Sequence, residues 1–297
     1  MQKLQGTFVV MVTPFTAGGE VDYKGMSRNI EWWIEQKVYG LIPLGSTGEF
    51  ASLSDVQKKQ ITETVMETVS GRLPVVVGAT AETTEKAIEY TAQARELGAA
   101  AALILPPYYY APSQEEIYWH YRRISETVDL PIMVYNNPFT ANVDILPQTV
   151  ARLAELPHLD YIKESSGDIK RIASIHQLSE DRITVFCGWE DLAWESFAVG
   201  AKGWVCVIGN ILPRAAAELY ELTVQQNDLS RGWELYKRLL PILRHLEYAG
   251  KTQKVLKYAL DTMGLCGGYS ASPKLPLTDE DKAEVDALLE DFQGASS

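Results

Sequence analysis

The chain has 297 residues, of which 46% are hydrophobic and 22% charged, and 27 basic side chains stand against 39 acidic ones. This composition excludes disordered, collagen-like and coiled-coil proteins and is typical of a globular enzyme or binding protein with a sizeable core. A net charge of −12 without any block of lysine or arginine argues against nucleic acid or an anionic membrane surface as a partner.

Short apolar runs alternate with segments of helical period from the N-terminus to Val207. The runs are nearly continuous in apolar character, as parallel strands covered on both faces should be. The eight predicted strands are residues 7–12, 39–44, 73–78, 100–105, 131–135, 159–163, 183–187 and 203–207. The clearest helical segments between them are residues 22–38, 54–69, 83–97, 113–128 and 168–178.

Several helix ends carry recognisable signals. Ser54 and Ser113 are each followed three residues later by Gln or Glu, which predicts a capping box at each helix start. Asp168 follows a glycine and predicts a third helix start. The glycines predicted to end helices are Gly40, Gly71 and Gly98.

Eight strands alternating with helices predict an α/β protein with a (β/α)8 TIM barrel, assigned to residues 1–226. A doubly wound open sheet is the alternative, but its first turn should be rich in glycine, and residues 12–15 read Val-Thr-Pro-Phe. From residue 227 to 297 the strand pattern is absent. Helical stretches at 229–248, 252–263 and 279–289 predict a C-terminal helical extension packed on the barrel or on a neighbouring subunit.

Cysteine and histidine usage gives no sign of a metal site. Cys187, Cys206 and Cys266 are an odd number without C-x-x-C spacing, so we interpret them as packing residues in a reducing compartment. The four histidines lack metal-ligand spacing and an adjacent nucleophile. The N-terminal segment does not resemble a secretory leader and no apolar run is long enough for a membrane span, so we expect a cytoplasmic protein.

The chemistry of a TIM barrel lies at the C-terminal ends of its strands, and polar residues occur there in this sequence. Residues 45–49, Gly-Ser-Thr-Gly-Glu, follow the second strand and offer amides and hydroxyls for a carboxylate, although an ordinary turn would also fit. Tyr109 and Tyr135 follow or end the fourth and fifth strands. Each could be a packing residue or a functional phenol.

Lys163 ends the sixth predicted strand. Strand alternation should point it, with Tyr161 and Ser165, to the side opposite Ile162 and Glu164. Burial in a barrel mouth disfavours the charged form of an amine, and a free amine can attack a carbonyl carbon. The alternative to a reactive amine is that Lys163 only pairs with a carboxylate at a strand end and has a structural role.

Three motifs carry a resemblance to a known family: residues 45–49, residues 135–138 (Tyr-Asn-Asn-Pro) and residues 163–168 (Lys-Glu-Ser-Ser-Gly-Asp). In this order they resemble the dihydrodipicolinate synthase / N-acetylneuraminate lyase family of class I aldolases, and the similarity extends over essentially the whole chain. The resemblance implies that Lys163 forms an imine with pyruvate or another 2-oxo acid and that Tyr135 carries the proton.

The resemblance also assigns further roles. It implies that Ser46 and Thr47 hold the substrate carboxylate, and that Tyr109 reaches into a neighbouring subunit's site and relays protons with Thr47 and Tyr135. A homotetramer built from two dimers is expected, with no metal or other cofactor. The substrate-binding residues predicted by analogy are Ser46, Thr47, Thr140, Ser165, Gly188 and Val205.

Some positions depart from the family pattern. Synthases of the family carry an arginine for the second substrate's carboxylate where this chain has Thr140. Residues 188–191 resemble the sugar-contacting stretch of the lyases, but a hydroxyl expected near Val207 is missing. The positions that bind feedback lysine in many synthases also differ, so lysine inhibition is not expected; they are Asp55, Lys58, Glu82 and Lys86.

The sequence therefore predicts a Schiff-base-dependent lyase, catabolic in role, that acts on pyruvate or a short 2-oxo acid by aldol cleavage or condensation, dehydration or deamination. A 4-hydroxyproline-pathway deaminase or a 2-keto-3-deoxy sugar acid aldolase would be typical. One alternative is a dihydrodipicolinate synthase that condenses pyruvate with aspartate semialdehyde. Outside the enzyme class, the alternative is a 2-oxo acid binding protein without turnover.

Overall fold

The computed structural model describes residues 3–294, and its centre is a ring of parallel strands. The strands pair in the order β2-β1-β8-β7-β6-β5-β4-β3. A parallel bridge between Leu41 and Val75 joins the two ends of this order, with the N–H of Leu41 donating to the oxygen of Pro74 at 3.2 Å. The strands are β1 (Gly6–Val10), β2 (Gly40–Ile42), β3 (Val76–Gly78), β4 (Ala101–Ile104), β5 (Ile132–Asn136), β6 (Tyr161–Glu164), β7 (Thr184–Cys187) and β8 (Gly203–Cys206).

Helices surround the ring and continue beyond it. No helix within residues 3–294 is long and apolar enough to cross a membrane. The helices are α1 (Tyr23–Glu35), α2 (Asp55–Val69), α3 (Thr84–Glu96), α4 (Gln114–Thr127), α5 (Pro138–Ala141), α6 (Pro147–Leu153), α7 (Lys170–Ser179), α8 (Ala193–Ala198), α9 (Pro213–Tyr220), α10 (Leu229–Tyr248), α11 (Thr252–Thr262) and α12 (Asp279–Gly294). Short turns of 3₁₀ or π-helix lie at Phe50–Ser52, Glu190–Leu192, Ile208–Asn210 and Glu221–Gln225.

The predicted (β/α)8 barrel with a helical C-terminal extension is confirmed. Each of the eight observed strands overlaps its predicted run, and both capping boxes form, at Ser54 and at Ser113. The division of the chain at residues 226 and 227 stays a prediction, and residues 295–297 of the predicted extension lie outside the described part of the chain.

Two predicted helix boundaries are wrong. Gly40 does not end a helix: α1 ends at Glu35, and Gly40 begins β2, where a β carbon would lie 2.2 Å from the ring of Phe8. Glycine is needed there because any side chain at this position would collide with the Phe8 ring in the barrel interior. Asp168 does not start α7 either. Its Oδ1 accepts the N–H of Lys170 at 3.0 Å, so it forms a side-chain turn just before the helix.

The barrel interior is filled by the inward-pointing side chains of alternating strand positions. Phe8 and Phe186 meet edge to face with their ring centroids 5.6 Å apart. Tyr161 and Lys163 point inward, whereas Ile162 belongs to the layer between strands and helices. This is the alternation predicted from the sequence around Lys163.

A buried ion pair joins the loop after β2 to the C-terminal extension. The Nζ of Lys257 in α11 lies 2.6 Å from Oε1 of Glu49, and it also donates to the oxygen of Tyr269 at 2.6 Å. Lys274 binds the other carboxylate oxygen of Glu49 at 2.9 Å. Burial lowers the pKa of Lys257, and the contact with Glu49 opposes this shift.

Replacing Lys257 with Met is expected to lower the free energy of unfolding by about 3 kcal/mol, because it removes the more deeply buried cation of Glu49 and leaves that carboxylate with only the less buried Lys274. Urea unfolding of the two proteins measures the difference. Lys282→Met is the matched control, since that lysine pairs with an exposed aspartate and should change stability by less than about 0.5 kcal/mol. Equal effects of the two substitutions would contradict the assignment.

Candidate active site

A cavity of about 160 Å³ opens at the C-terminal ends of the strands. Its floor is formed by strand residues, and its walls are loops after β2, β5, β7 and β8 together with the start of α11 and the end of α10. The lining residues are Val10, Gly45, Ser46, Thr47, Leu103, Tyr135, Asn137, Lys163, Gly188, Glu190, Val205, Val207, Leu246, Glu247, Thr252 and Gln253. A larger groove of about 790 Å³ lies on the outside of the barrel between α1 and α10 and shares no residue with this cavity.

Lys163 and Tyr135 lie side by side in the cavity because β5 and β6 pair with these residues opposite each other. The Nζ of Lys163 is 4.1 Å from the centroid of the Tyr135 ring, and Asn137 donates its Nδ2–H to the tyrosine hydroxyl at 3.0 Å. Lys163 is only 6% exposed, and within residues 3–294 its Nζ has a ring contact with Tyr135 but no ion pair or hydrogen bond. Its amine is therefore available to a ligand and is not neutralised by a strand-end carboxylate.

Gly188 and Ser165 form the wall against which the Lys163 side chain lies. The Oγ of Ser165 donates to the oxygen of Gly188 at 2.9 Å. A β carbon at position 188 would lie 2.0 Å from this Oγ and 2.7 Å from Cγ and Cε of Lys163. Glycine at this position therefore leaves room for the lysine stem, and Ser165 lies behind the lysine and does not line the cavity.

The loop at residues 45–49 presents unpaired donors to the cavity. The Oγ of Ser46 is buried without a hydrogen-bond partner among residues 3–294, and the backbone N–H groups of Ser46 and Thr47 donate to none of them. The loop itself is held in place, since Thr13 donates to the oxygen of Gly48 at 2.8 Å. A hydroxyl and successive free amides in one fixed loop can bind a carboxylate.

Two carboxylates also line the cavity, those of Glu190 and Glu247. Glu190 accepts the backbone N–H of Val207 at 2.8 Å and that of Ile208 at 3.0 Å, and its own N–H donates to Oε2 of Glu247 at 2.9 Å. Burial raises the pKa of Glu190 to about 8. The neighbouring Glu247 adds to this increase in pKa, and Lys163 opposes it. Burial also raises the pKa of Glu247. The sequence analysis missed Glu247, because it lies in the C-terminal extension and belongs to no motif.

Two other residues predicted for the site, Thr140 and Tyr109, lie outside the cavity lining. Thr140 is exposed on α5, where its N–H donates to Oδ1 of Asn137 at 3.1 Å. Tyr109 is 73% exposed, and its N–H donates to Glu82 at 3.2 Å. Val205, in contrast, lines the cavity from β8, and its role in substrate binding stays a prediction.

Of the positions associated with feedback lysine, Asp55 and Lys86 pair with each other, whereas Lys58 and Glu82 contact tyrosines. Lys86 pairs with Asp55 at 2.7 Å, and Lys58 donates to the hydroxyl of Tyr90 at 3.3 Å. The absence of lysine inhibition stays a prediction. Within residues 3–294, no three or more His, Cys, Asp or Glu side chains come together as a metal-binding group.

Fold and site together define a class of protein: a TIM-barrel enzyme with a buried, unpaired lysine amine beside a tyrosine and a loop with unpaired donors at the strand ends. Residues 3–292 match the family model described as the dihydrodipicolinate synthetase family. The chain belongs to this family, and it is a lyase of the class I aldolase type.

Relatives and solved structures agree with this assignment. The chain is 37% identical to a 4-hydroxy-tetrahydrodipicolinate synthase of Thermomicrobium roseum, with 96% of this chain and 93% of that protein covered. Among solved structures, a putative dihydrodipicolinate synthetase from Pseudomonas aeruginosa matches with a TM-score of 0.94 at 34% identity, covering 98% of this chain and 100% of the other. The chloride-inhibited dihydrodipicolinate synthase from Acinetobacter baumannii, complexed with pyruvate, matches with a TM-score of 0.92 at 32% identity, covering 98% and 99%.

The buried Glu190 should make stability fall as the pH rises. Its pKa is about 8 in the folded chain against an ordinary value of 4.5, so the folded state binds more protons between these values. The free energy of unfolding therefore decreases as the pH rises from about 5 to about 8. Glu190→Gln removes this titration and should make the slope less steep by up to about 1.4 kcal/mol per pH unit.

Urea unfolding at several pH values in this range measures the two slopes. Glu234→Gln is the matched control, because Glu234 is an exposed residue of α10, and this variant should keep the slope of the parent. Parallel curves for the parent and Glu190→Gln would show that Glu190 does not titrate in this range.

Proposed function

We propose that the protein is a Schiff-base-dependent lyase in which Lys163 forms an imine with the keto carbon of pyruvate or a short 2-oxo acid. The observation that carries this proposal is the unpaired amine of Lys163, held 4.1 Å from the ring centroid of Tyr135. The loop at 45–49 supports it, because free N–H groups and the Ser46 hydroxyl suit the carboxylate next to the keto group. The pyruvate complex of the related Acinetobacter baumannii protein is consistent with this substrate.

The proposed reaction needs only these groups and water. The amine of Lys163 adds to the keto carbon, and loss of water gives a protonated imine. Loss of a proton from the neighbouring carbon gives an enamine, which bonds to an aldehyde carbon while the aldehyde oxygen takes up a proton. Water then hydrolyses the imine and returns the free lysine. Cleavage runs through the same steps in reverse, and the hydroxyl of Tyr135 carries the proton.

Borohydride reduction in the presence of pyruvate tests this assignment. We expect about one pyruvoyl-derived adduct per chain, located on Lys163 by peptide mass, because only an imine is reduced to a stable amine. Lys163→Ala should not be labelled, whereas Lys170→Ala, which changes an exposed lysine, should be labelled fully. A labelled peptide without Lys163 would overturn the proposal.

Replacing Tyr135 with Phe should slow turnover by roughly 10²–10⁴-fold while borohydride trapping with pyruvate persists, since a positioned proton carrier is lost but the amine is not. Steady-state kinetics and trapping give the two readouts. Tyr161→Phe is the matched control, because that phenol also lies inside the barrel but contacts the N–H of Leu4, away from Lys163. Turnover of Tyr135→Phe within about twofold of the parent would make Tyr135 a packing residue.

A dihydrodipicolinate synthase activity is the second candidate, favoured by the names of the relatives. We place it second because Thr140 stands where the synthases carry an arginine, and no arginine of residues 3–294 lines the cavity. Condensation of pyruvate with aspartate semialdehyde by the parent and by Thr140→Arg distinguishes the candidates. Efficient condensation by the parent would make the synthase the leading proposal.

A binding protein without turnover, the remaining sequence-based alternative, disagrees with membership of a lyase family.

We also propose a homotetramer built from two dimers, in which Tyr109 completes the site of a neighbouring subunit. Tyr109 and Tyr110 are 73% and 79% exposed, and their rings contact each other outside the barrel's own cavity. Such an aromatic pair is typical of a surface that a partner covers. Sedimentation at assay concentration should give four chains per particle, and a fully active monomer would contradict this. The cytoplasmic location stays a prediction.

A further inference from the structure

One wall of the cavity is acidic. Glu190 and Glu247 both line the cavity that contains Lys163, and among residues 3–294 Lys163 is the only basic side chain in that lining. In the proposed reaction this one amine becomes part of the imine, and the 2-oxo acid adds its own carboxylate at residues 45–49. Among residues 3–294, no second basic side chain of the cavity lining is then left to pair with a second carboxylate on the substrate.

The two glutamates are not equivalent as ligands. Both oxygens of Glu190 already accept backbone N–H groups, from Val207 and Ile208. Glu247 uses Oε2 to accept the N–H of Glu190, but its Oε1 forms no hydrogen bond with any residue between 3 and 294. Glu247 therefore offers a free acceptor to a molecule in the cavity. A carboxylate oxygen in a buried site forms strong hydrogen bonds with hydroxyl groups.

An aromatic surface adjoins this wall at the cavity mouth. The ring of Trp189 lies 5.4 Å from that of Phe139 and 6.3 Å from that of Tyr248, measured between centroids. Phe139 and Tyr248 are exposed, and Trp189 and Tyr248 are the chain neighbours of Gly188, Glu190 and Glu247 in the lining. Aromatic faces beside a few placed polar groups suit a ligand that has both C–H surface and hydroxyl groups.

We propose that Glu247 determines the specificity of the enzyme by selecting aldehydes that carry hydroxyl groups and rejecting aldehydes with a distal carboxylate. The hydroxyl groups donate to Oε1 of Glu247, and the carbon chain packs on the rings of Phe139, Trp189 and Tyr248. This inference rests on the proposed imine at Lys163. It adds to that function a substrate class, a hydroxylated aldehyde, and a residue of the C-terminal extension that recognises it.

The test compares two aldehydes in condensation with pyruvate: glyceraldehyde, which has hydroxyl groups, and succinic semialdehyde, which has a distal carboxylate. We expect the parent to favour glyceraldehyde by at least about tenfold in kcat/KM. Glu247→Gln should lower kcat/KM for glyceraldehyde about tenfold and leave that for succinic semialdehyde unchanged or higher, because the variant loses the charge but keeps the shape. Glu234→Gln, an exposed change on the same helix, should leave both values as in the parent.

Borohydride trapping with pyruvate separates this inference from the proposed function. Glu247→Gln should be trapped on Lys163 as completely as the parent, which also shows that the variant is folded. An equal loss for both aldehydes would assign Glu247 a structural role, and a parent that favours succinic semialdehyde would reverse the specificity. Either result overturns the inference and leaves the imine intact. A parent that is not trapped at all refutes the proposed function and, with it, the role of Glu247.

Discussion

The parallel pairing of β5 with β6 is the constraint on which the site depends. It sets Tyr135 opposite Lys163 and, on the other face, Asn136 opposite Glu164. The second pair is polar and buried, with Nδ2 of Asn136 donating to Glu164 at 3.1 Å. Because successive strand residues face opposite sides, a slip of one residue would bring Glu164 into the cavity and Lys163 into the helix layer. Both faces of the pair therefore fix one register, and that register places the amine.

The C-terminal extension is part of the active site as much as the barrel is. It holds the loop at 45–49 through the ion pair of Lys257 with Glu49 and through Gln253, whose Nε2 donates to the oxygen of Ser46 at 3.4 Å. It also supplies Glu247 to the cavity. The strands alone would place Lys163 and Tyr135 but would leave Glu49 in the loop at 45–49 without its buried partner Lys257. The chain can be divided into a barrel and a C-terminal extension by its topology, but the cavity is lined by residues of both parts.

The features that could be predicted from the sequence are those with a local cause. Strand number, the inward direction of Lys163 and the capping boxes follow from residues within a few positions of one another. Gly40 was misassigned because its role comes from a ring on the neighbouring strand. Glu247 was missed because its contact with Glu190 spans 57 residues, and the pair of Lys257 with Glu49 spans 208. Such contacts leave no periodic signal, so the sequence points to the half of the site near Lys163 and, through the resemblance at residues 188–191, to Glu190, but not to Glu247.

Family membership therefore says more about the half of the cavity near Lys163 than about the half lined by Glu190 and Glu247. The relatives, 34–37% identical to this chain, carry a name that states one product, 4-hydroxy-tetrahydrodipicolinate. The proposed imine chemistry depends on the strand ends, where the motifs lie, whereas in the proposed reaction the second substrate meets the part of the cavity lined by Glu190 and Glu247. Two like charges about 6 Å apart repel by about 3 kcal/mol at an effective dielectric constant of 20, which is more than a hundredfold in binding. Burial of one methylene group stabilises a complex by only about 0.8 kcal/mol. Apolar contacts at the cavity mouth would therefore not readily offset the repulsion of a carboxylate on the aldehyde. In the specificity proposed here, the carboxylate of Glu247, more than the overall similarity, selects the aldehyde.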